Sequence, residues 1–337
     1  MTAFPSAPAN PQKDEKEAYW ERHQKRLNRL AKAHARQTLI LSYLEQLQDA
    51  SRHETPDMLS LVWGDIQKID PNEDLGWLIS RLGNCGRWLG FRHYKETGQL
   101  RLFNSSMCRK VLLCPFCAIQ RSAKHLQTYM PKFLAVREAY PNLIPVLITL
   151  TEKNGPDLEE RVDHLFSSLN TVKGKRRNAK NGGRCKSELN KVIGAVGSFE
   201  ISNSCTFGWH PHLHMIAFID ELIDPFELSK EWLAITGDSK IVDVRRIDES
   251  NLIKSLNEVF KYSLKFGSLT PSQTYECHKV LRNRKKLFSL GIMRNVHVEK
   301  NPDEVKLQEM DYEDLQYTFR DGLYVPANPA AKKKHGA

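Results

Sequence analysis

Three histidines stand at every second position in "WHPHLHMIAFID", residues 209–220, immediately before an apolar run. A period of two reads as a strand, which sends His210, His212 and His214 to one face and Pro211, Leu213, Met215, Ala217 and Ile219 to the other. The apolar face can pack on helices, leaving the imidazoles to converge on the open face. Neutral imidazole is a good ligand for divalent cations, and neighbouring side chains on one strand face can share an ion. A hard oxygen ligand could complete the set. Glu200, in "GSFEIS", reaches the same region if the two strands pair as a hairpin across "NSCTFG". The competing reading is three surface histidines on a half-exposed strand.

A second group supplies a nucleophile. In "NEVFKYSLKF", Glu258 and Tyr262 are four residues apart, which on a helix is one face; Lys265 follows a turn later and Lys261 adjoins the tyrosine. Nearby ammonium groups favour the phenolate and suit it to attack on phosphate, and Glu258 can act as a base or activate water. By themselves such residues equally describe a core aromatic and a solvated charged face. A third group is Cys85, Cys108, Cys114 and Cys117, the last two in "LCPFC". A C-x-x-C knuckle lets two thiolates chelate one tetrahedral metal, so these four are read as a structural Zn2+ site, with Cys85 as the fourth ligand across a longer loop. No strand-to-helix setting of a redox pair surrounds them. Cys185, Cys205 and Cys277 look unassociated.

The elements that must position these groups follow from pattern. A long helix free of Pro and Gly is expected from about Asp14 to Gln48, and two short helices in 56–83. "QLRLF" reads as a strand and "AIQRSAKHLQTYMPKFLAVREAY" as a helix leaving the cysteine knuckle. "IPVLITLT", "IGAVGSFEIS", the histidine segment and "KIVDVRRI" are strands. Helices are expected over about 158–172, in "DPFELSKEWLAI" and through "ESNLIKSLNEVFKYSLKF". Between them "KGKRRNAKNGGRCK" reads as a basic loop, presenting Lys173, Lys175, Arg176 and Arg177 to phosphates. "RNRKK" adds Arg282, Arg284, Lys285 and Lys286. The 337 residues carry 50 Lys+Arg against 40 Asp+Glu, a net +10 with pI ≈ 9.2, which suits a polyanionic partner, nucleic acid before membrane. Mean hydropathy is −0.51, no apolar run approaches a membrane span, and the N-terminus lacks the basic start and apolar core of a secretory signal. A cytoplasmic protein without a membrane partner is expected.

Taken in order, "LITLT", "FE" on a strand, "HPHLH" and "EVFKY" resemble the rolling-circle plasmid replication initiators, the Rep proteins of the HUH endonuclease superfamily, over about residues 80–267. "CGRWL" and "LCPFC" precede these motifs as they do in that family. The resemblance implies that His212 and His214 bind Mg2+ or Mn2+ with Glu200 as third ligand and His210 as its competitor. It implies that Tyr262 attacks one strand at the origin, leaving a 5′-phosphotyrosine and a free 3′-OH, and that Glu258 activates water for the terminating cleavage. Positions 258 and 266 are not Tyr, so the single-tyrosine scheme applies. Lys261 and Lys265 would stabilise developing charge or hold a flanking phosphate. The implied fold is α+β, a central antiparallel sheet flanked by helices. The implied partners are origin DNA, double-stranded or hairpin and single-stranded, with host helicase and polymerase; a homodimer is compatible. The chain is then a basic helical extension (1–75), a Cys-rich segment (76–130), a nickase domain (131–270) and a basic C-terminal region with a disordered tail (271–337). Two other classes stay open: a relaxase or transposase of the same chemistry, and a non-catalytic zinc-containing DNA-binding regulator.

Overall fold

The computed structural model describes residues 11–52, 73–184, 186–204, 206–261, 264, 266–298 and 310–327. Its chain divides into two compact units, one formed by 1–48, 74–109 and 299–337, the other by 49–73 and 110–298. The architecture is α+β, with two antiparallel sheets and flanking helices.

In the first unit, α1 (Pro11–Arg52) and α2 (Leu75–Gly83) accompany a four-stranded sheet in the order β2-β1-β8-β9. The strands are β1 (Trp88–Tyr94), β2 (Leu100–Ser105), β8 (Tyr312–Arg320) and β9 (Leu323–Pro326). Leu30, Ile40, Leu44 and Leu47 bury one stripe of α1. His23 of α1 packs edge-on against Phe91 and lies 3.1 Å from the Tyr317 hydroxyl, and His34 stacks on Phe319. Burial, with Arg26 nearby, pushes His23 down to about 4, so it is neutral at physiological pH. The sequence showed this sheet only through "QLRLF": β1 and β8 pair across more than 200 residues, β1 has no strict alternation, and sequence reasoning missed the alternating "LQYTFR" of β8 as a strand.

The second unit holds a five-stranded sheet ordered β6-β3-β5-β4-β7. Its strands are β3 (Ile144–Thr151), β4 (Val192–Ser204), β5 (Gly208–Ile219), β6 (Val242–Arg246) and β7 (Leu287–Gly291). Its helices are α3 (Pro115–Ala139), α4 (Leu158–Lys180), α5 (Pro225–Thr236), α6 (Leu252–Phe260) and α7 (Pro271–Leu281). The strand pattern splits the core in two. Leu150, Phe199, Leu213, Met215 and Ala217 pack with Leu165, Leu169 and Trp232 of α4 and α5. Leu147, Val196, Ile216 and Phe218 pack with Phe133 of α3 and Leu256, Val259 and Phe260 of α6.

Two expectations change here. The basic stretch after residue 172 is helical to Lys180, with the helix capped at its start by the Asp157 side chain on the Glu160 N–H; Lys, Arg and Ala are good helix formers, and the single Gly174 among them does not interrupt the helix before Gly182 and Gly183. The helix through "NEVFKYSLKF" stops at Phe260: Lys261 adopts φ −57°, ψ 155°, outside helical geometry. Lys261, expected inside that helix, therefore lies beyond its end. Tyr262 and Lys265, like Cys185 and Cys205, lie outside the described residues.

Candidate metal and catalytic site

The hairpin of β4 and β5 runs from Val192↔Ile219 to Ser204↔Gly208. Gly208 starts β5 with φ +79°, and a Cβ there would come within 2.4 Å of the Gly155 carbonyl oxygen, so only glycine fits where the strand bearing the histidines begins. In this register Glu200 stands across from His212, Ser198 from His214 and Ser202 from His210. On the other side β3 places Thr151 across from His212 and Thr149 across from His214. Cross-strand neighbours share a face, so the sheet carries two polar rows, Thr151–His212–Glu200 and Thr149–His214–Ser198. That face is not open along its whole length: further down the strands Ile216 and Phe218 on the same side are covered by α3 and α6.

The side chains converge as the register requires. Thr149 Oγ1 lies 3.0 Å from His214 Nδ1, and Thr151 Oγ1 lies 3.3 Å from His212 Nδ1. His214 Nε2 is 3.3 Å from the Glu200 carboxylate, which is 2% exposed. His212 and His214 lie parallel at 5.8 Å between ring centroids, and His210 is 4.1 Å from His212. The Lys261 ammonium reaches Glu200 at 2.7 Å, supplying a counter-charge without which a carboxylate so deeply buried would be costly.

The end of α6 is built to deliver that lysine. The helix leaves its last carbonyls without internal partners. Ser198 of β4 donates to the Val259 carbonyl and Ser122 of α3 to the Phe260 carbonyl, while the Lys261 N–H closes back on Asn257 at 2.8 Å. Leu264 then bridges to Ile201 in parallel. The residues flanking Tyr262 are thus held on β4 at Glu200 and Ile201. Glu258 faces the same side of the sheet, where Arg245, across from Leu147 on β6, reaches it at 3.4 Å and holds Asp243 at 2.6 Å.

Other candidates lie elsewhere. Cys85 and Cys108 in the first unit and Cys114 and Cys117 in the second are all buried, and four such thiols are a donor set that could hold a zinc ion. The Cys108 N–H donates to Cys85 Sγ at 3.3 Å, and the Cys117 N–H donates to Cys114 Sγ at 3.4 Å from the N-cap of α3, arrangements that favour thiolate. Cys277 is buried apart from them, with its thiol pushed well up by desolvation. Among the described residues one further group, Glu152, His164 and Asp238, brings its ligand atoms within 4.8 Å, but Arg161 already sits on both carboxylates. The histidine face is looser than this group; an ion there would draw the rings and Glu200 inward. Its nitrogen and carboxylate donors suit Mg2+ or Mn2+.

The basic residues fare unevenly. Arg176 donates to the Leu189 and Val192 carbonyls, Arg282 pairs with Glu73, Arg284 with Asp163 and Glu159, and Lys286 donates to the Leu281 and Arg284 carbonyls. Lys173, Arg176 and Lys285 line an apolar cavity of about 200 Å³ on the sheet face opposite the histidines. Lys175 and Arg177 lie in the last turns of α4. Sequence reasoning missed Thr149, Thr151, Ser122, Ser198 and Arg245; the Thr-x-Thr of "LITLT", with the same spacing as His-x-His, was the one available signal.

No solved structure matches this chain. Three proteins named "Protein rep" are similar to it. One from Bacillus amyloliquefaciens is 25% identical over 281 residues, 71% of this chain and 79% of the relative. One from a Bacillus species is 29% identical over 180 residues, 50% and 54% of the two chains, and one from Lentilactobacillus hilgardii is 27% identical over 204 residues, 55% and 61%. The alignments with the latter two therefore span less than two thirds of those proteins. A family model described as "Replication protein" matches residues 99–323, reaching some 50 residues beyond the C-terminal end of the motif-based resemblance. That match covers more than half of the chain, including the histidine strand and its flanking elements, and the chain belongs to this replication protein family.

Proposed function

We propose that the protein initiates rolling-circle replication of a plasmid by nicking one strand at the origin and joining itself to the new 5′ end. The observation that carries this reading is the histidine face: His212, His214 and a buried Glu200 converge on β4 and β5, and Lys261, the residue before Tyr262, is tied to that same carboxylate. A divalent ion held by His212, His214 and Glu200, with His210 as the alternative third ligand, would polarise a non-bridging oxygen of the scissile phosphate. The Tyr262 oxygen, having lost its proton to solvent, attacks phosphorus; the bond to the 3′ oxygen breaks, and that oxygen leaves as a hydroxyl after protonation. The phosphodiester energy stays in the phosphotyrosine, so rejoining needs no nucleotide. Lys261 and Lys265 contribute positive charge at the phosphate.

Glu258 serves a different step. It takes a proton from water, whose oxygen attacks phosphorus at the regenerated origin; the bond to the 3′ oxygen breaks, that oxygen leaves as a hydroxyl after protonation, and the new 5′ end carries a phosphate in place of a second covalent link. Its place on the histidine side of the sheet supports this role. Lys173, Lys175, Arg177 and Lys285 are the basic residues best suited to phosphate contact, since Arg176, Arg282, Arg284 and Lys286 are engaged within the fold. Origin DNA is the substrate, with host helicase and polymerase following the nick. Membership in a replication protein family speaks against a relaxase or a purely regulatory DNA binder. The test uses supercoiled origin plasmid and Mn2+: the wild type is expected to yield open circles and a protein–DNA adduct, and Tyr262→Phe neither. Undiminished adduct from Tyr262→Phe would remove the nucleophile assignment.

A further inference from the structure

The sequence motif "LITLT" has a physical meaning in the pairing of β3 with β5. Both strands repeat every two residues, so Thr-x-Thr and His-x-His meet in antiparallel register, Thr149 with His214 and Thr151 with His212. Each hydroxyl approaches the Nδ1 of its own histidine, at 3.0 and 3.3 Å. We propose that Thr149 and Thr151 are positioning residues that turn the Nε2 atoms of His214 and His212 toward the ion and accept the Nδ1–H of each ring once Nε2 is a ligand. This rests on the metal reading given above.

The bond made by one ring nitrogen decides which nitrogen keeps the proton, so a partner at Nδ1 leaves the Nε2 lone pair for a metal. The geometry agrees. With Nδ1 of His214 turned to β3, its Nε2 faces β4, 3.3 Å from the Glu200 carboxylate. Thr151 is itself fixed: its carbonyl accepts the Trp232 indole N–H at 3.0 Å, its N–H donates to the Ile241 carbonyl at 3.0 Å, and it is 6% exposed. A hydroxyl on so constrained a backbone can hold a ring to one orientation. Threonine is also simply a good strand residue, and valine would serve that purpose equally well. The difference between the two residues is therefore the test.

Mn2+ binding to the full-length protein without DNA, followed by electron paramagnetic resonance, separates the roles. Thr149→Val and Thr151→Val keep the branched shape and lose the hydroxyl; Thr149→Ser and Thr151→Ser keep the hydroxyl. Each valine variant is expected to weaken Mn2+ binding by about 10- to 100-fold, with nicking restored at high Mn2+, and the serine variants to stay close to wild type. Alanine at the same positions replaces valine should valine prevent folding, as judged by circular dichroism. Wild-type Mn2+ affinity in folded valine or alanine variants would overturn the proposal. His212→Ala and His214→Ala, measured alongside, tell the two levels apart. If they lose Mn2+ while the threonine variants do not, only the positioning role fails; if they too bind like wild type, the metal reading falls with it.

Discussion

At the scale of single residues the site is organised around one buried carboxylate. Glu200 has a histidine at 3.3 Å and a lysine at 2.7 Å, and both arise from cross-strand register and from where α6 ends rather than from sequence proximity. Tyr262 and Glu258 are four apart in sequence, and α6, which carries Glu258, ends at Phe260. The tasks proposed for them differ by chemistry: Tyr262 would carry the covalent link and Glu258 would only activate water. Glu258→Gln keeps the shape and removes the base. It is expected to nick and to become attached to the 5′ end like wild type, then to fail at termination, so that replication products run past one unit length on a denaturing gel and protein stays bound. Loss of the first nick as complete as in Tyr262→Phe would make Glu258 a ligand or the tyrosine's own base.

At the scale of elements, the decisive one is the C-terminus of α6. Helix ends usually turn on a glycine; here the last carbonyls are taken by hydroxyls from a neighbouring strand and a neighbouring helix, Ser198 and Ser122. The consequence is that the chain leaves the helix against β4, with Lys261 on Glu200 and Leu264 bridged to Ile201. Ser198→Ala removes the donor and leaves a buried carbonyl unsatisfied, a cost of about 1–3 kcal/mol. The expected outcome is a lower denaturation midpoint and a nicking kcat reduced roughly tenfold or more, since about 1.4 kcal/mol of misplacement is a factor of ten, with binding of origin DNA in a mobility-shift assay unchanged. An unaltered kcat in this variant would mean that the anchor matters for stability alone.

At the scale of the whole molecule, the basic balance of the chain has to be read through its internal commitments. Four of the eight basic residues singled out from sequence satisfy carbonyls or carboxylates of the fold, so net charge overstates the surface offered to DNA. The cysteine group contributes differently. Four buried thiols, two of them receiving backbone N–H groups, could hold a zinc ion, and metal bound only by the folded chain would add its binding energy to stability. Elemental analysis is expected to find one zinc per chain, lost in the double variant Cys114→Ser, Cys117→Ser together with a clear drop in thermal midpoint. A zinc content unchanged by that double substitution would refute the site.

By itself the sequence determined the strand bearing the histidines, because strict alternation ending in an apolar run admits only one face for each set of side chains. It also determined the long first helix and the helix leaving the cysteine knuckle, and it raised the hairpin that would bring Glu200 to the histidine face, which β4 and β5 form. These are local patterns, or pairings across short connections, and local physics suffices for them. The sheet of β1, β2, β8 and β9, the end of α6 before Tyr262, the serines that cap it and the partners of Arg282 and Arg284 came only with the tertiary structure. Each depends on contacts between residues far apart in the chain. "NEVFKYSLKF" has helical periodicity to its last residue, yet the helix stops at Phe260, where the Val259 carbonyl accepts from Ser198 on a strand some sixty residues earlier, a partner that no window of sequence around it contains.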